Sequence, residues 1–207
     1  MLSVVLYSYR RCPYAMRARM ALWCAEIAVD LREISLRDKP PEMLAISPKG
    51  TVPVLHCFDG QVIEQSLDIM RWALQQHDPQ GWLRWEEGSE AFARQESLIL
   101  CNDTTFKYWL DRYKYAERYP EFDLAYYRQQ ALSCQLEGLE QRLSQSAFLG
   151  GEMADLSDVA LFPFVRQFAA VDANWFEASP YPATRQWLRG WVESELFKKI
   201  MAKPINQ

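Results

Sequence analysis

Histidine is almost missing from these 207 residues: His56 and His77 are the only two. Cysteine is sparse and irregularly placed. There are five, Cys12, Cys24, Cys57, Cys101 and Cys134, and no two stand in a Cys-x-x-Cys spacing. No metal site is expected, because zinc needs clustered His and Cys at short spacings. An odd, scattered set of thiols does not make a disulfide framework, and free thiols suit a reducing compartment. No apolar run approaches the ~20 residues that a membrane-spanning helix needs, so no membrane partner is expected. Before its first two arginines the chain offers only Val4, Val5 and Leu6 as an apolar core, too little for a secretory leader. A cytoplasmic protein is the expectation. Basic charge is not in excess either: the formal net charge is −4, which argues against nucleic acid as the main partner.

What the chain does have is apolar bulk. Hydrophobic residues make up 49% of it, enough for a sizeable core and too much for disorder. The length suits one large domain or two small ones.

One stretch organises the rest. Ser3-Val4-Val5-Leu6-Tyr7 is apolar and β-branched and reads as a buried strand. Beyond it, Met16, Met20, Trp23 and Cys24 recur at helical spacing. Pro13 suits the first turn of that helix, where its missing N–H is not needed. Cys12 therefore sits at or beside the helix cap, facing free backbone N–H groups. The helix dipole and Arg10, Arg11, Arg17 and Arg19 favour its thiolate and form a positive spot suited to a small anion. Most cysteines are small buried hydrophobes. Strand, Cys-Pro and helix together are the geometry that thiol activation needs. Ala15 stands where a dithiol oxidoreductase has its second cysteine, so the chemistry must borrow its other sulfur.

Residues 1–77 continue as alternating elements. Val29 to Ile34 alternates like a half-covered strand. Pro40 and Pro41 open a short helix through Met43, Leu44 and Ile46. Ser47-Pro48-Lys49-Gly50 is turn chemistry. Val52 to Phe58 reads as a strand, Asp59-Gly60 as a hairpin turn, and Gln61-Val62-Ile63 as the return strand. A helix starts near Ser66, with Ile69, Met70, Ala73 and Leu74 on one face. The order β-α-β-α-β-β-α implies a mixed sheet with helices on both faces.

Residues 78–88 read as a linker, and 89–207 as an all-helical domain. Phe92, Ile99, Phe106 and Tyr113 recur every seven residues, with Asn102 and Trp109 on the same stripe. Asn102 there reads as a satisfied buried amide. Leu132, Leu136, Leu139 and Leu143 form a second stripe. Asp155 caps a third helix, with Asp158 in its first turn and Pro163 expected to bend it. Helical pattern resumes from Tyr181 to Lys199, with Lys198, Lys199 and Lys203 at its end.

Taken together, Tyr7-Ser8-x-Arg10-x-Cys12-Pro13-x-Ala15-x-Arg17-x-Arg19, Lys49 to Leu55, Val62 to Ile69 and Leu149 to Phe164 resemble a cytosolic glutathione transferase, and the first motif is similar to the omega-like class. The resemblance runs through nearly the whole chain, motif by motif in the family's order. It implies a thioredoxin-like N-terminal domain followed by an α-helical domain, glutathione as co-substrate, and a homodimer. It implies Cys12 as the nucleophile. It implies Lys39, Val52, Pro53, Gln65 and Ser66 as the glutathione site, with Pro53 in a cis peptide. On the residues alone, Pro53 also fits an ordinary strand-edge proline, Ser66 a plain N-cap, and Lys39 a surface lysine. One position departs from the family: Gln65 stands where a glutamate is usual, and Glu64 on an extended chain would point the other way.

The function so implied is a glutathione-dependent thiol transferase acting on a small electrophile or a glutathionylated disulfide through Cys12. Two alternatives stay open. A conjugating transferase would use Tyr7 or Ser8 to hold the glutathione thiolate. A non-catalytic binding protein on the same fold would owe its weak grip to Gln65. Tyr14, beside Cys12, reads as a pocket wall. Tyr108 and Tyr115 lie off the heptad stripe and are the candidates for a second-substrate pocket.

Overall fold

The apolar run ahead of Cys12 forms β1 (Val4–Ser8), buried along its whole length. The computed structural model describes residues 4–202, so Ser3 and Lys203 lie outside the described residues. β2 (Val29–Glu33) pairs parallel with β1, Val4 opposite Val29 and Leu6 opposite Leu31. β3 (Val54–His56) and β4 (Val62–Ile63) join antiparallel, giving the order β2-β1-β3-β4. β3 is shorter than its apolar run, because pairing begins only after Pro53.

Period-two alternation sorts the strand side chains onto two faces. Val5, Tyr7 and Val54 pack with Ile34 and with Met43 of α2 (Pro41–Ile46). Leu6 faces the other side, towards α1 (Pro13–Cys24). α1 packs against α3 (Ser66–Gln76). This β-α-β-α-β-β-α unit with a mixed four-stranded sheet is the thioredoxin-like arrangement.

The chain divides into two units. The first runs through Leu83 and takes in the stretch from Ser194, and the second is Arg84–Glu193. The sequence boundaries of 1–77, 78–88 and 89–207 differ from this in two places. The expected linker is cut in the middle by local hydrogen bonding. Asp78 accepts the Trp82 and Leu83 N–H groups at 3.0 and 2.8 Å, which keeps those residues with the first unit. Arg84 donates to the carbonyls of Gly150, Met153 and Ala154 at 3.1, 2.7 and 2.5 Å, which fixes it in the second. Near the other end, Glu195–Met201 forms a helix that packs on α1 and so returns to the first unit.

In the second unit, α4 (Glu90–Cys101), a π-helical turn Asn102–Phe106 and α5 (Lys107–Lys114) follow without a break. The buried residues are Gln95, Ile99, Asn102, Phe106, Leu110 and Tyr113, whereas Phe92 and Trp109 are half-buried. Ile99, Phe106 and Tyr113 keep the seven-residue stripe through the wider turn, and Phe92 and Trp109 lie at its margin. Asn102 is fully buried, donates to Asp103 at 2.8 Å and accepts from Gln135 at 3.3 Å. α6 (Leu124–Ala131), a second π-helical turn Leu132–Leu136 and α7 (Glu137–Leu143) bury the leucine stripe.

α8 (Leu156–Ala169) passes through Pro163 and buries Val159, Phe162, Val165 and Phe168. Its start is heavily bonded. Asp155 accepts from Ser157 N, Ser157 Oγ, Asp158 N and Trp85 Nε1. Asp158 accepts from Leu149 N, Gly150 N, Asp155 N and Trp187 Nε1 at 2.8 to 3.0 Å. Burial nevertheless pushes the Asp158 carboxyl up to about 6 against the pull of those donors. Gly150 is required here, since a Cβ would stand 2.6 Å from the Met153 carbonyl oxygen. α9 (Ala173–Ala178), α10 (Pro182–Glu193) and α11 (Glu195–Met201) complete the helices. Among the described residues, no helix is long and apolar enough to cross a membrane.

Candidate active site

β1 ends at Ser8, and the chain turns tightly into α1. The Cys12 N–H donates to the Tyr9 carbonyl at 3.0 Å, and the Cys12 carbonyl accepts the first helical bond from Met16 at 3.0 Å. Cys12 is thus the N-cap, with extended backbone (φ −74°, ψ 122°) and Pro13 as the first helical residue. The Cys12 side chain makes no cap hydrogen bond to the first turn. Cys12 is half-exposed.

The opposite wall comes from the strand register. Tyr7 pairs with Val54, which brings residues 52 and 53 alongside the turn that follows β1. The Val52–Pro53 peptide is cis. The Cys12 thiol donates to the Val52 carbonyl oxygen at 3.8 Å. Cys12, Val52 and Pro53 are therefore brought together.

Two of the four arginines assigned to a positive spot do something else. Arg17 and Arg19 are buried, at 0% and 4% exposure. Arg19 donates to Ser8 Oγ at 2.5 Å and to the carbonyls of Tyr9 and Arg10 at 3.4 and 2.8 Å. Through its two terminal nitrogens it is a clamp on the turn that carries Cys12. Burial pulls it down to about 10, while Glu33 and Cys12 push the other way. Glu33 holds the same turn from outside by accepting the Arg10 N–H at 2.8 Å. The sequence carried one sign of this role: Arg19 lies seven residues after Cys12, two helical turns along the same face.

Both rival hydroxyls are engaged. Ser8 is fully buried with its Oγ against Arg19. Tyr7 is 3% exposed on the α2 side of the sheet, and its hydroxyl accepts from Arg32 at 3.2 Å.

Lys39 is half-exposed and folds over the loop before β3. Gly50, at φ +63°, leaves room for it: a Cβ there would stand 3.3 Å from Lys39 Nζ. At the start of α3 the N-cap is Gln65, not Ser66, because Ser66 already has helical backbone. Ser66 is buried, and the exposed Gln65 side chain accepts no helix N–H. Glu64 is held by the buried Ser47 hydroxyl.

Tyr14 is half-exposed, with the Arg17 guanidinium 5.6 Å from its ring centre. Tyr108 and Tyr115 belong to the second unit. Arg112 stacks on Tyr108 at 3.4 Å, and Lys114 and Arg118 flank Tyr115 at 4.8 and 4.6 Å. Of the other thiols, burial pushes Cys24 up to about 11 and Cys57 upward, which makes both poor nucleophiles. Cys101 is different: a hydrogen bond with the Cys134 thiol brings it down to about 7.

A mixed thioredoxin-like sheet followed by a helical unit, with a cysteine at a helix start beside a cis-proline loop, defines the class of fold. The profile of the glutathione S-transferase N-terminal domain matches residues 6–81, and that of the C-terminal domain matches residues 128–190. The chain belongs to the glutathione S-transferase family. It is similar to glutathione S-transferase omega-1 of Mus musculus, at 25% identity over 99% of this chain and 84% of that protein. It is also similar to glutathione S-transferase DHAR2 of Arabidopsis thaliana, at 26% identity over 93% of this chain and 84% of that one. Among solved structures, the glutathione transferase URE2P6 of Phanerochaete chrysosporium, in complex with oxidized glutathione, superposes with a TM-score of 0.81. That match has 18% identity and covers 96% of this chain and 94% of the other.

Proposed function

We propose that this chain is a glutathione-dependent thiol transferase of the omega-like kind, acting through a mixed disulfide between Cys12 and glutathione. The observation that carries this reading is the start of α1, where a half-exposed sulfur lies 3.8 Å from the Val52 carbonyl oxygen and makes no cap hydrogen bond to the helix. A hydroxyl can only hold a glutathione thiolate, whereas a cysteine can bond to the ligand sulfur. The engagement of Tyr7 with Arg32 and of Ser8 with Arg19 favours the cysteine. The names of the omega-1 and DHAR2 relatives point the same way.

The chemistry is two exchanges. The Cys12 thiolate attacks the glutathione sulfur of a mixed disulfide, the sulfur–sulfur bond breaks, and the other thiol leaves as thiolate. A second glutathione thiolate then attacks Cys12–S–S–glutathione, releasing oxidised glutathione and restoring the Cys12 thiolate. Glutathione is the co-substrate, and the second substrate is a glutathionylated disulfide or a small electrophile. In this reading the Val52 backbone pairs with the cysteinyl part of glutathione as an added strand, with Pro53 shaping the loop. Lys39 takes the glycyl carboxylate, and Ser66 with the first N–H groups of α3 takes the γ-glutamyl carboxylate. Gln65 meets the ligand ammonium with a neutral amide, which weakens the grip. Tyr14, Tyr108 and Tyr115 serve the second substrate. The protein works as a cytoplasmic homodimer, without metal or nucleic acid.

Cys12→Ala is the test. In an assay with glutathione and a mixed disulfide, exchange falls by about 10³-fold, the scale on which loss of a covalent nucleophile acts. Exchange that survives the substitution removes Cys12 from the mechanism. Aryl-halide conjugation that equals or exceeds exchange and survives it favours Tyr7 or Ser8 instead.

A further inference from the structure

Beside α1, on the sheet face opposite α2, lies a cavity of about 280 Å³. Its walls are apolar: Leu6 of β1, Val29 and Leu31 of β2, Leu22 and Trp23 of α1, and Ile200 of α11. Ile27 and Ala202 complete the apolar lining, and two cations join it, Arg19 of α1 and Lys199 of α11.

Arg19 is the informative residue. Its two terminal nitrogens are used on Ser8, Tyr9, Arg10 and the Met201 sulfur. Its Nε–H is buried with no hydrogen-bond partner, in a side chain only 4% exposed. A buried donor left unmade is costly, and a charged one more so. Burial also depresses Arg19 to about 10, which an anion alongside would reverse. Lys199 is exposed on α11, and none of the ion pairs found among the described residues involves it. An apolar chamber with one unmet guanidinium donor and one open ammonium matches a molecule that is a hydrocarbon at one end and a carboxylate at the other. A neutral apolar ligand leaves the Nε–H unmet, and a small inorganic anion leaves the walls empty. At ~30 Å³ per water-sized group, the cavity takes a chain of about nine or ten carbons.

We propose that this cavity is a binding site for one medium-chain aliphatic carboxylate, its head group on Arg19 Nε and Lys199 and its chain along Leu22, Leu31 and Ile200. The site is separate from the Cys12 chemistry and holds whether or not that chemistry is thiol transfer.

The test is calorimetric titration of the full chain with decanoate, repeated with 1-decanol and with decylamine. Decanoate binds at one per chain with a Kd on the order of 0.1 mM, the range open to a ligand of this size. Decanol binds at least about tenfold more weakly, and decylamine not at all, because charged hydrogen bonds carry the recognition. Lys199→Glu, at an exposed position, weakens decanoate about fivefold without unfolding the chain. Val29→Trp, on the half-exposed edge strand, fills the chamber and abolishes binding, while the thermal midpoint confirms that the variant is folded. The proposal fails if decanoate does not bind at 1 mM, if decanol binds as tightly, or if folded Val29→Trp and Lys199→Glu both bind decanoate as the parent does.

Discussion

α1 begins at Cys12 with no side-chain cap hydrogen bond, whereas α8 begins at Asp155 with two carboxylates gathering eight donors between them. Both starts are positioned by tertiary structure, and both follow a turn held by a buried arginine or a close glycine. They differ in what is left over. At α8 eight donors are taken up by the protein itself, and the result is stability. At α1 no side-chain cap bond is made, and in the proposed function that is what keeps the sulfur available for chemistry. The turn there has to be held from behind by Arg19, since it is not held by a cap.

Exchanging the two solutions gives the sharpest test of this contrast. Cys12→Asp installs an N-cap carboxylate on α1. Thiol exchange drops by about 10³-fold while the folded state gains about 1 kcal/mol, the usual worth of a good cap. Urea unfolding beside the exchange assay checks both signs at once, and a loss of stability would show that the first turn of α1 does not accept a cap. The converse change, Asp158→Ala, strands four donors, three of them buried, and destabilises the protein by about 3–5 kcal/mol. Exchange per folded molecule stays the same. Equal loss of activity in the folded fraction would mean that the α8 start also serves catalysis.

A smaller effect is expected from the clamp. Arg19→Lys keeps the charge but loses the planar fork that spans Ser8 Oγ and the two turn carbonyls. The rate of exchange falls about tenfold, and the pH profile of Cys12 alkylation shifts. That profile has to be taken in a Cys101→Ser background, because the hydrogen bond with Cys134 brings Cys101 down to about 7 as well. An unshifted profile confines Arg19 to a purely structural role. The smallest change is Gln65→Glu, which supplies the carboxylate usual in the family and tightens glutathione by about threefold, as read by titration. Unchanged affinity separates position 65 from the ligand ammonium.

Much of this was legible in the amino-acid order because it is local. Pro13 behind Cys12, the Val-Pro pair before β3, and Asp155 three residues ahead of Asp158 each write a backbone requirement into adjacent residues. What was not legible depends on distant segments. The π-helical turns at Asn102–Phe106 and Leu132–Leu136 leave no mark in periodicity, since one extra residue in the winding looks like ordinary scatter around a repeat of 3.6. Arg17 and Arg19 read as part of a positive spot around Cys12, because their burial depends on segments distant in sequence. Gln65 rather than Ser66 is the α3 cap, so the helix begins one residue earlier than side-chain preference suggests.

The return of α11 to α1 has a consequence for how the molecule is made. A ribosome releases β1 through α3 first, then all of Arg84–Glu193, and only afterwards the segment that seals the outer side of α1 and reaches Arg19 through Met201. Domains emerging from synthesis usually close in order from the amino end. Here the earlier-born half stays open along one flank until the later-born half has already been spun out, so nascent chains stalled before Ser194 carry an exposed seam where chaperones would be expected to dwell.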